Sequence, residues 1–131
     1  MNLPASTPGR VPKKILLVDD SRTITCVLRA YLMDRGDEFL VASDADAALR
    51  CVLREQPDLV IADIEMPGMS GLDLCRVLRS SPRLHGLRLV VLSGGWTASR
   101  HEEARRIGID GWLSKPVNPD QLAALVRKLL P

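Results

Sequence analysis

No unbroken apolar run in this chain is longer than the five residues Leu122–Val126, far short of the ~20 that a helix crossing a bilayer requires. Membrane insertion through a helix is therefore not expected. A dominant charge is missing too: 18 Lys and Arg against 16 Asp and Glu leave a net charge of +2, too little to demand a nucleic-acid or membrane-surface partner. The basic residues, mostly Arg, are dispersed. Cysteine is scarce, and Cys26, Cys51 and Cys75 stand about 25 residues apart with no second Cys or His at metal-ligand spacing. They read as packed thiols in a reducing, cytoplasmic setting, where disulfides are rare, and not as a zinc site. The only histidines, His85 and His101, fall in polar stretches expected to face solvent. The start of the chain, MNLPASTPGRVPKK, holds three prolines and no apolar segment. It is neither a signal peptide nor a helix, and residues 1–12 are expected to form a flexible tail.

What the chain does have is a rhythm. With 131 residues, 46% hydrophobic and 26% charged, it has room for one globular domain and a real core. Short apolar runs recur at 15–18 (ILLV), 39–42 (FLVA), 59–62 (LVIA) and 89–92 (LVVL), with a weaker GWLS at 111–114. Their continuous apolarity marks strands covered on both faces, as in a parallel sheet between helices. Helical patterns alternate with them. The first, Ser21 to Arg35, puts Ile24, Val27, Leu28, Tyr31 and Leu32 on one stripe and stops at Gly36. Others are expected at 45–55, 70–80 and 98–107. A last helix begins at the Asn118 cap, with Pro119 in its first turn and Gln121 completing a capping box. Five strands alternating with five helices specify an α/β fold: a doubly wound, five-stranded parallel sheet of order 2-1-3-4-5, flavodoxin-like.

Polar residues follow the strands: Asp19-Asp20 after the first, Asp63 after the third, Ser93-Gly94-Gly95 after the fourth and Lys115-Pro116 after the fifth. In a parallel sheet these positions share one edge, and strands 1 and 3 are neighbours at the point where the winding reverses. Any one of these residues alone is an ordinary cap, turn former or surface charge. Together, three gathered carboxylates repel, so that one must take up a proton or all must share a cation. Oxygen-only ligands suit Mg²⁺, which takes a few carboxylates and keeps room for a phosphate oxygen. With the Lys115 ammonium and the Ser93 hydroxyl beside it, Asp63 becomes a candidate nucleophile for forming an acyl phosphate.

Four ordered segments then carry a family likeness. LVDDSR, DIEMPGMSG, VLSGG and WLSKP, within Lys13 to Leu130, resemble the motifs of the receiver domain of bacterial two-component response regulators, the CheY-like fold. The resemblance implies a receiver domain over 13–131, phosphorylated on Asp63 by the phosphohistidine of a sensor histidine kinase. It implies Mg²⁺ held by Asp20 and Asp63, by Asp19 largely through water, and by the backbone carbonyl of Glu65. Lys115 would contact the phosphoryl oxygens, with a cis peptide to Pro116. Ser93 would swing toward the phosphate and Trp112 turn inward after it, altering an output face on helix 4, strand 5 and helix 5.

Two features depart from the family pattern. Ser93 stands where Thr is usual, and Glu65 puts an acid beside the site, where it could repel anions, hold water or point to solvent. Glu65, with Gly95, is expected to tune the lifetime of the phosphorylated state. Trp96 reads equally as loop packing or as a partner contact. The expected output is through a downstream protein rather than nucleic acid, since no DNA-binding segment follows Leu130, and the expected state is a monomer or a phosphorylation-dependent dimer. Two alternatives stand beside this: a receiver that binds partners without being phosphorylated, and a haloacid-dehalogenase-like Mg²⁺-dependent phosphatase. In the phosphatase family, however, the acidic metal pair follows the nucleophile, whereas Asp19-Asp20 precede Asp63.

Overall fold

The computed structural model describes residues 11–131. The expected tail, 1–12, thus lies outside the described residues except for Val11 and Pro12, which are exposed. Five strands, β1 (Lys14–Val18), β2 (Glu38–Ala42), β3 (Leu59–Asp63), β4 (Arg88–Ser93) and β5 (Gly111–Ser114), form one sheet. Every pairing is parallel and the order is β2-β1-β3-β4-β5. The helices are α1 (Arg22–Leu32), α2 (Ala45–Glu55), α3 (Gly71–Arg79), α4 (Ala98–Ile107) and α5 (Pro119–Leu129). None is long and apolar enough to cross a membrane.

The apolar runs form strands because successive side chains feed two separate cores. Leu16, Val18, Val60, Ala62, Leu89 and Val91 pack with Ala48, Val52, Leu74, Leu78 and Ala104 of α2, α3 and α4. On the other face Ile15, Leu17, Leu59, Ile61, Val90 and Leu92 pack with Leu28 and Leu32 of α1 and Leu122 and Val126 of α5. The helices begin where a side chain caps them. Ser21, Asp44, Ser70, Thr97 and Asn118 each accept a hydrogen bond from the amide three residues on, satisfying a donor the helix itself cannot. Helix α4 differs from the others in its anchorage, because Ala104 is its only buried residue.

Some local expectations shift. The first helical segment does not run as α-helix to Arg35: Met33–Arg35 tighten into a 3₁₀ turn that ends at Gly36, whose φ of 75° is left-handed. Of its apolar stripe, Leu28 and Leu32 are buried, but Val27 and Tyr31 are exposed at 36% and 38%. Cys51 and Cys75 are packed as expected, whereas Cys26 is exposed. Burial pushes the Cys75 thiol up to about 12, against a small opposing pull from Arg79, so it stays protonated and inert.

Beneath the sheet's lower edge lies a polar anchor. Arg79 of α3 donates from Nε to the Gly108 carbonyl at 3.1 Å, from Nη1 to Leu87 O at 2.6 Å and from Nη2 to Asp110 Oδ2 at 2.7 Å. Asp110 Oδ2 also accepts the Leu89 amide at 2.8 Å. One guanidinium thereby ties α3 to the start of β4 and the approach to β5.

Candidate functional site

The parallel sheet delivers the strand ends to one edge. The carboxylates of Asp19, after β1, and Asp63, the last residue of β3, are buried, while Asp20 is exposed. One oxygen from each of the three lies within 4.8 Å of the others. Asp63 is held at one of its two oxygens. Its Oδ1 accepts the Glu65 amide at 2.9 Å and meets Lys115 Nζ at 2.7 Å. Both contacts fall on one oxygen, which leaves Oδ2 unengaged.

The turn after Asp63 is set by close packing. The amide of Gly71, the first residue of α3, donates to Ile64 O at 3.2 Å. A Cβ at Gly71 would fall well inside contact distance of the Asp63 carbonyl oxygen. Only glycine lets α3 start this close to the strand it follows.

Asp19 is the strained member of the trio. Its Oδ1 accepts the Ser21 amide at 2.9 Å, but Oδ2 is buried with no hydrogen-bond partner. Desolvation raises its pKa from an ordinary 3.8 to about 6, and the neighbouring charge of Asp63 adds to the rise, while the Ser21 amide opposes it. An orphaned carboxylate oxygen, facing two further carboxylates, is the feature a hard divalent cation would satisfy. The three acids therefore fit such an ion on their chemistry.

The exposed Glu65 side chain turns back onto the Ser-Gly turn at the end of β4. Its Oε2 accepts the Ser93 hydroxyl at 2.9 Å and its Oε1 accepts the Gly94 amide at 2.8 Å. Lys115 Nζ lies 3.9 Å from Oε1 and Arg100 Nη1 lies 3.5 Å from Oε2. Desolvation pushes this carboxyl up, but the Gly94 amide, the Ser93 hydroxyl, Lys115 and Arg100 outweigh it and hold it below the ordinary carboxylate range. Ser93 itself is buried, and its Oγ also accepts the Gly95 amide at 3.0 Å.

Arg100, in the first turn of α4, was not a candidate from the sequence. Its Nη1 donates to the Gly95 carbonyl at 2.6 Å and to Ser93 Oγ at 3.0 Å. The signal for it was faint: a basic residue three past the Thr97 cap, on a helix that follows the Ser-Gly-Gly turn. Trp112 lies away from the acids. It is partly buried beside His101 and Trp96, with ring centroids 5.5 and 6.1 Å off, and the Trp96–His101 pair is edge-on at 4.8 Å. His101 is thus not a solvated surface residue. The Trp96 indole donates to Leu113 O at 2.9 Å, so Trp96 is part of the packing. His85 is exposed at the opposite edge, and the Lys115–Pro116 peptide is cis.

This arrangement of acids, lysine and hydroxyl on a β2-β1-β3-β4-β5 sheet defines a receiver, and residues 15–127 match the response regulator receiver domain. The chain belongs to that family. It is 35% identical over 118 residues to the DNA-binding response regulator MtrA of Mycobacterium tuberculosis, covering 90% of this chain and 50% of MtrA. It is 36% identical over 120 residues to the response regulator Rre1 of Synechocystis, covering 91% and 52%. The chain therefore spans about half the length of these curated relatives. Among solved structures it is similar to the chemotaxis response regulator CheY4 of Vibrio cholerae, with a TM-score of 0.84, 29% identity and coverage of 92% and 100%. A response regulator receiver protein from Pseudomonas putida gives a TM-score of 0.83, 31% identity and coverage of 91% and 98%. A receiver domain is a signalling module of two-component systems, so the phosphatase alternative falls away.

Proposed function

We propose that the chain is a phosphorylation-activated switch, with residues 13–131 as the receiver unit and Asp63 as the acceptor. The observation that carries this reading is the Asp63 carboxylate: buried, held through Oδ1 by Lys115 at 2.7 Å, and clustered with Asp19 and Asp20. The unengaged Oδ2 attacks the phosphorus of a phosphohistidine on a sensor kinase. The P–N bond breaks as the P–O bond forms, and the imidazole nitrogen keeps the electron pair and takes up a proton. Asp19, Asp20 and Asp63, with the Glu65 carbonyl, would hold Mg²⁺, which when bound offsets charge on the phosphoryl oxygens. Lys115 does the same from the other side, and its grip on Oδ1 orients the carboxylate before the donor arrives.

The Ser93 hydroxyl is the group that reports the event. A conformer that places it on the new phosphoryl oxygens is favoured by that contact, and the population shifts toward it. Trp112 and the α4, β5, α5 surface follow, and a downstream protein reads that surface. A cytoplasmic location, and a monomer or phosphorylation-dependent dimer, belong to the same proposal. MtrA is a DNA-binding response regulator; for this chain the proposed output is protein contact. Ser93 held by an internal carboxylate also supports a second reading, a receiver that engages its partner unphosphorylated.

Intact-mass measurement after incubation with acetyl phosphate and Mg²⁺ separates the two. One added phosphoryl group, absent from Asp63→Ala, is the expected result. No mass change in the wild-type chain would leave the second reading in its place.

A further inference from the structure

An anion attached to Asp63 needs hydrogen-bond donors around it, and those donors are already in use. The Ser93 hydroxyl and the Gly94 amide both point at the Glu65 carboxylate, at 2.9 and 2.8 Å. Lys115 Nζ lies between the two acids, 2.7 Å from Asp63 Oδ1 and 3.9 Å from Glu65 Oε1. Glu65 therefore sits one ammonium group away from Asp63 and holds a hydroxyl, an amide and a cation: the set that a phosphoryl group there would recruit.

Arg100 completes the set. All three of its contacts, with Gly95 O, Ser93 Oγ and Glu65 Oε2, fall on Nη1. A guanidinium carries five donors in a rigid fork suited to phosphate oxygens, so Nη2 and Nε remain available. Helix α4, which carries Arg100, is anchored in the core by the buried Ala104 and, at its far end, by the partly buried Ile107, so its first turn can follow the guanidinium at low cost.

We propose that Glu65 and Arg100 form a handover latch. Glu65 stands in for the phosphoryl group in the unmodified protein, keeping Ser93, Gly94 and Arg100 engaged. A phosphoryl group on Asp63 brings about 1.5 to 2 negative charges and three acceptor oxygens. It repels the Glu65 carboxylate, takes over its donors, and gains Arg100 as a further ligand. Glu65 then competes with the phosphoryl group, and Arg100 binds it. The latch rests on the reading of Asp63 as the acceptor.

Beryllofluoride, formed from beryllium and fluoride with Mg²⁺, serves as the probe, because it attaches to a carboxylate oxygen as a tetrahedral phosphoryl mimic. Affinities come from calorimetric titration of the full chain and four variants: Asp63→Ala, Glu65→Ala, Glu65→Gln and Glu65→Ala/Arg100→Ala. Glu65 and Arg100 have side chains 39% and 36% exposed, so their replacement is compatible with folding, and melting temperatures verify it. Removing the competitor should tighten binding about tenfold in Glu65→Ala and by less in Glu65→Gln, which keeps one acceptor. With Glu65 already gone, removing Arg100 should weaken binding about tenfold relative to Glu65→Ala. Unchanged affinity in Glu65→Ala, or no effect of Arg100 in that background, overturns the latch while leaving Asp63 as acceptor. Binding by none of the proteins, or binding retained in Asp63→Ala, overturns both.

Discussion

Replacing Asp19 by asparagine should make the metal-free protein more stable at neutral pH. The native carboxyl titrates at about 6 against an ordinary 3.8, so between those values the folded state holds a proton that the unfolded chain has released. The folded state binds more protons, and stability falls as pH rises through that window and stays lowered above it. A displacement of that size corresponds to about 3 kcal/mol at pH 7. The cost has a visible origin in Oδ2 of Asp19, buried without a partner beside Asp63 and Asp20. Asparagine keeps an oxygen for the Ser21 amide and removes the charge.

Thermal unfolding in a chelator at pH 7.5 should therefore show Asp19→Asn melting about 10 °C above the wild type. At pH 4, where Asp19 is mostly protonated, the two should nearly coincide. Mg²⁺ tests the other half of the reasoning, since a cation relieves the same repulsion. At about 100 times its dissociation constant it should stabilise the wild type by about 2.7 kcal/mol, and Asp19→Asn by much less. If the variant melts at or below the wild type at pH 7.5 in chelator, the charged-oxygen account is wrong. An equal gain at pH 4 and pH 7.5 would show that packing, not ionisation, is responsible.

Two structural predictions stand on single side chains. Arg79→Ala should destabilise the domain by about 1 to 3 kcal/mol in urea unfolding, because it takes a charged donor from the partly buried Asp110 carboxylate and from two carbonyls; a loss under 0.5 kcal/mol would mean that water replaces the guanidinium freely. Gly71→Ala should lower phosphorylation by acetyl phosphate along with stability, because its Cβ would displace the Asp63 main chain; full phosphorylation at an unaltered melting temperature would show that α3 can slide.

The acids were legible in the sequence because their placement depends only on topology. Once the apolar runs are read as strands of one parallel sheet, Asp19, Asp20, Asp63 and Lys115 must share an edge, whatever their rotamers. What stayed hidden depends on rotamers and on the paths of loops. Nothing in the spacing of Glu65 and Ser93 says that their side chains meet, and Arg79 and Asp110, 31 residues apart, show no pattern linking them. Periodicity gave α1 an apolar stripe but not the extent of its cover, so Val27 and Tyr31, read as part of that face, are over a third exposed. His101 looked polar because RHEEARR is polar, yet two indoles approach it, one from the loop five residues before and one from β5 eleven residues on.

The helix with the fewest buried residues is also the one whose side chain reaches Ser93. Helix α4 contributes one buried residue to the core, so its position is set less by packing than by its ends and its surface pairs. At its N-terminal turn Arg100 reaches Ser93 and Gly95. On the same turn His101 packs against Trp96 and Trp112. A change at Ser93 therefore meets little resistance in moving α4, and it reaches the indole of β5 through adjacent residues rather than through the sheet. On the proposed reading, the element that reports phosphorylation is mobile because it was left almost without a hydrophobic anchor, while β1, β3 and β4, which hold the acids and Ser93, are almost wholly buried and stay fixed.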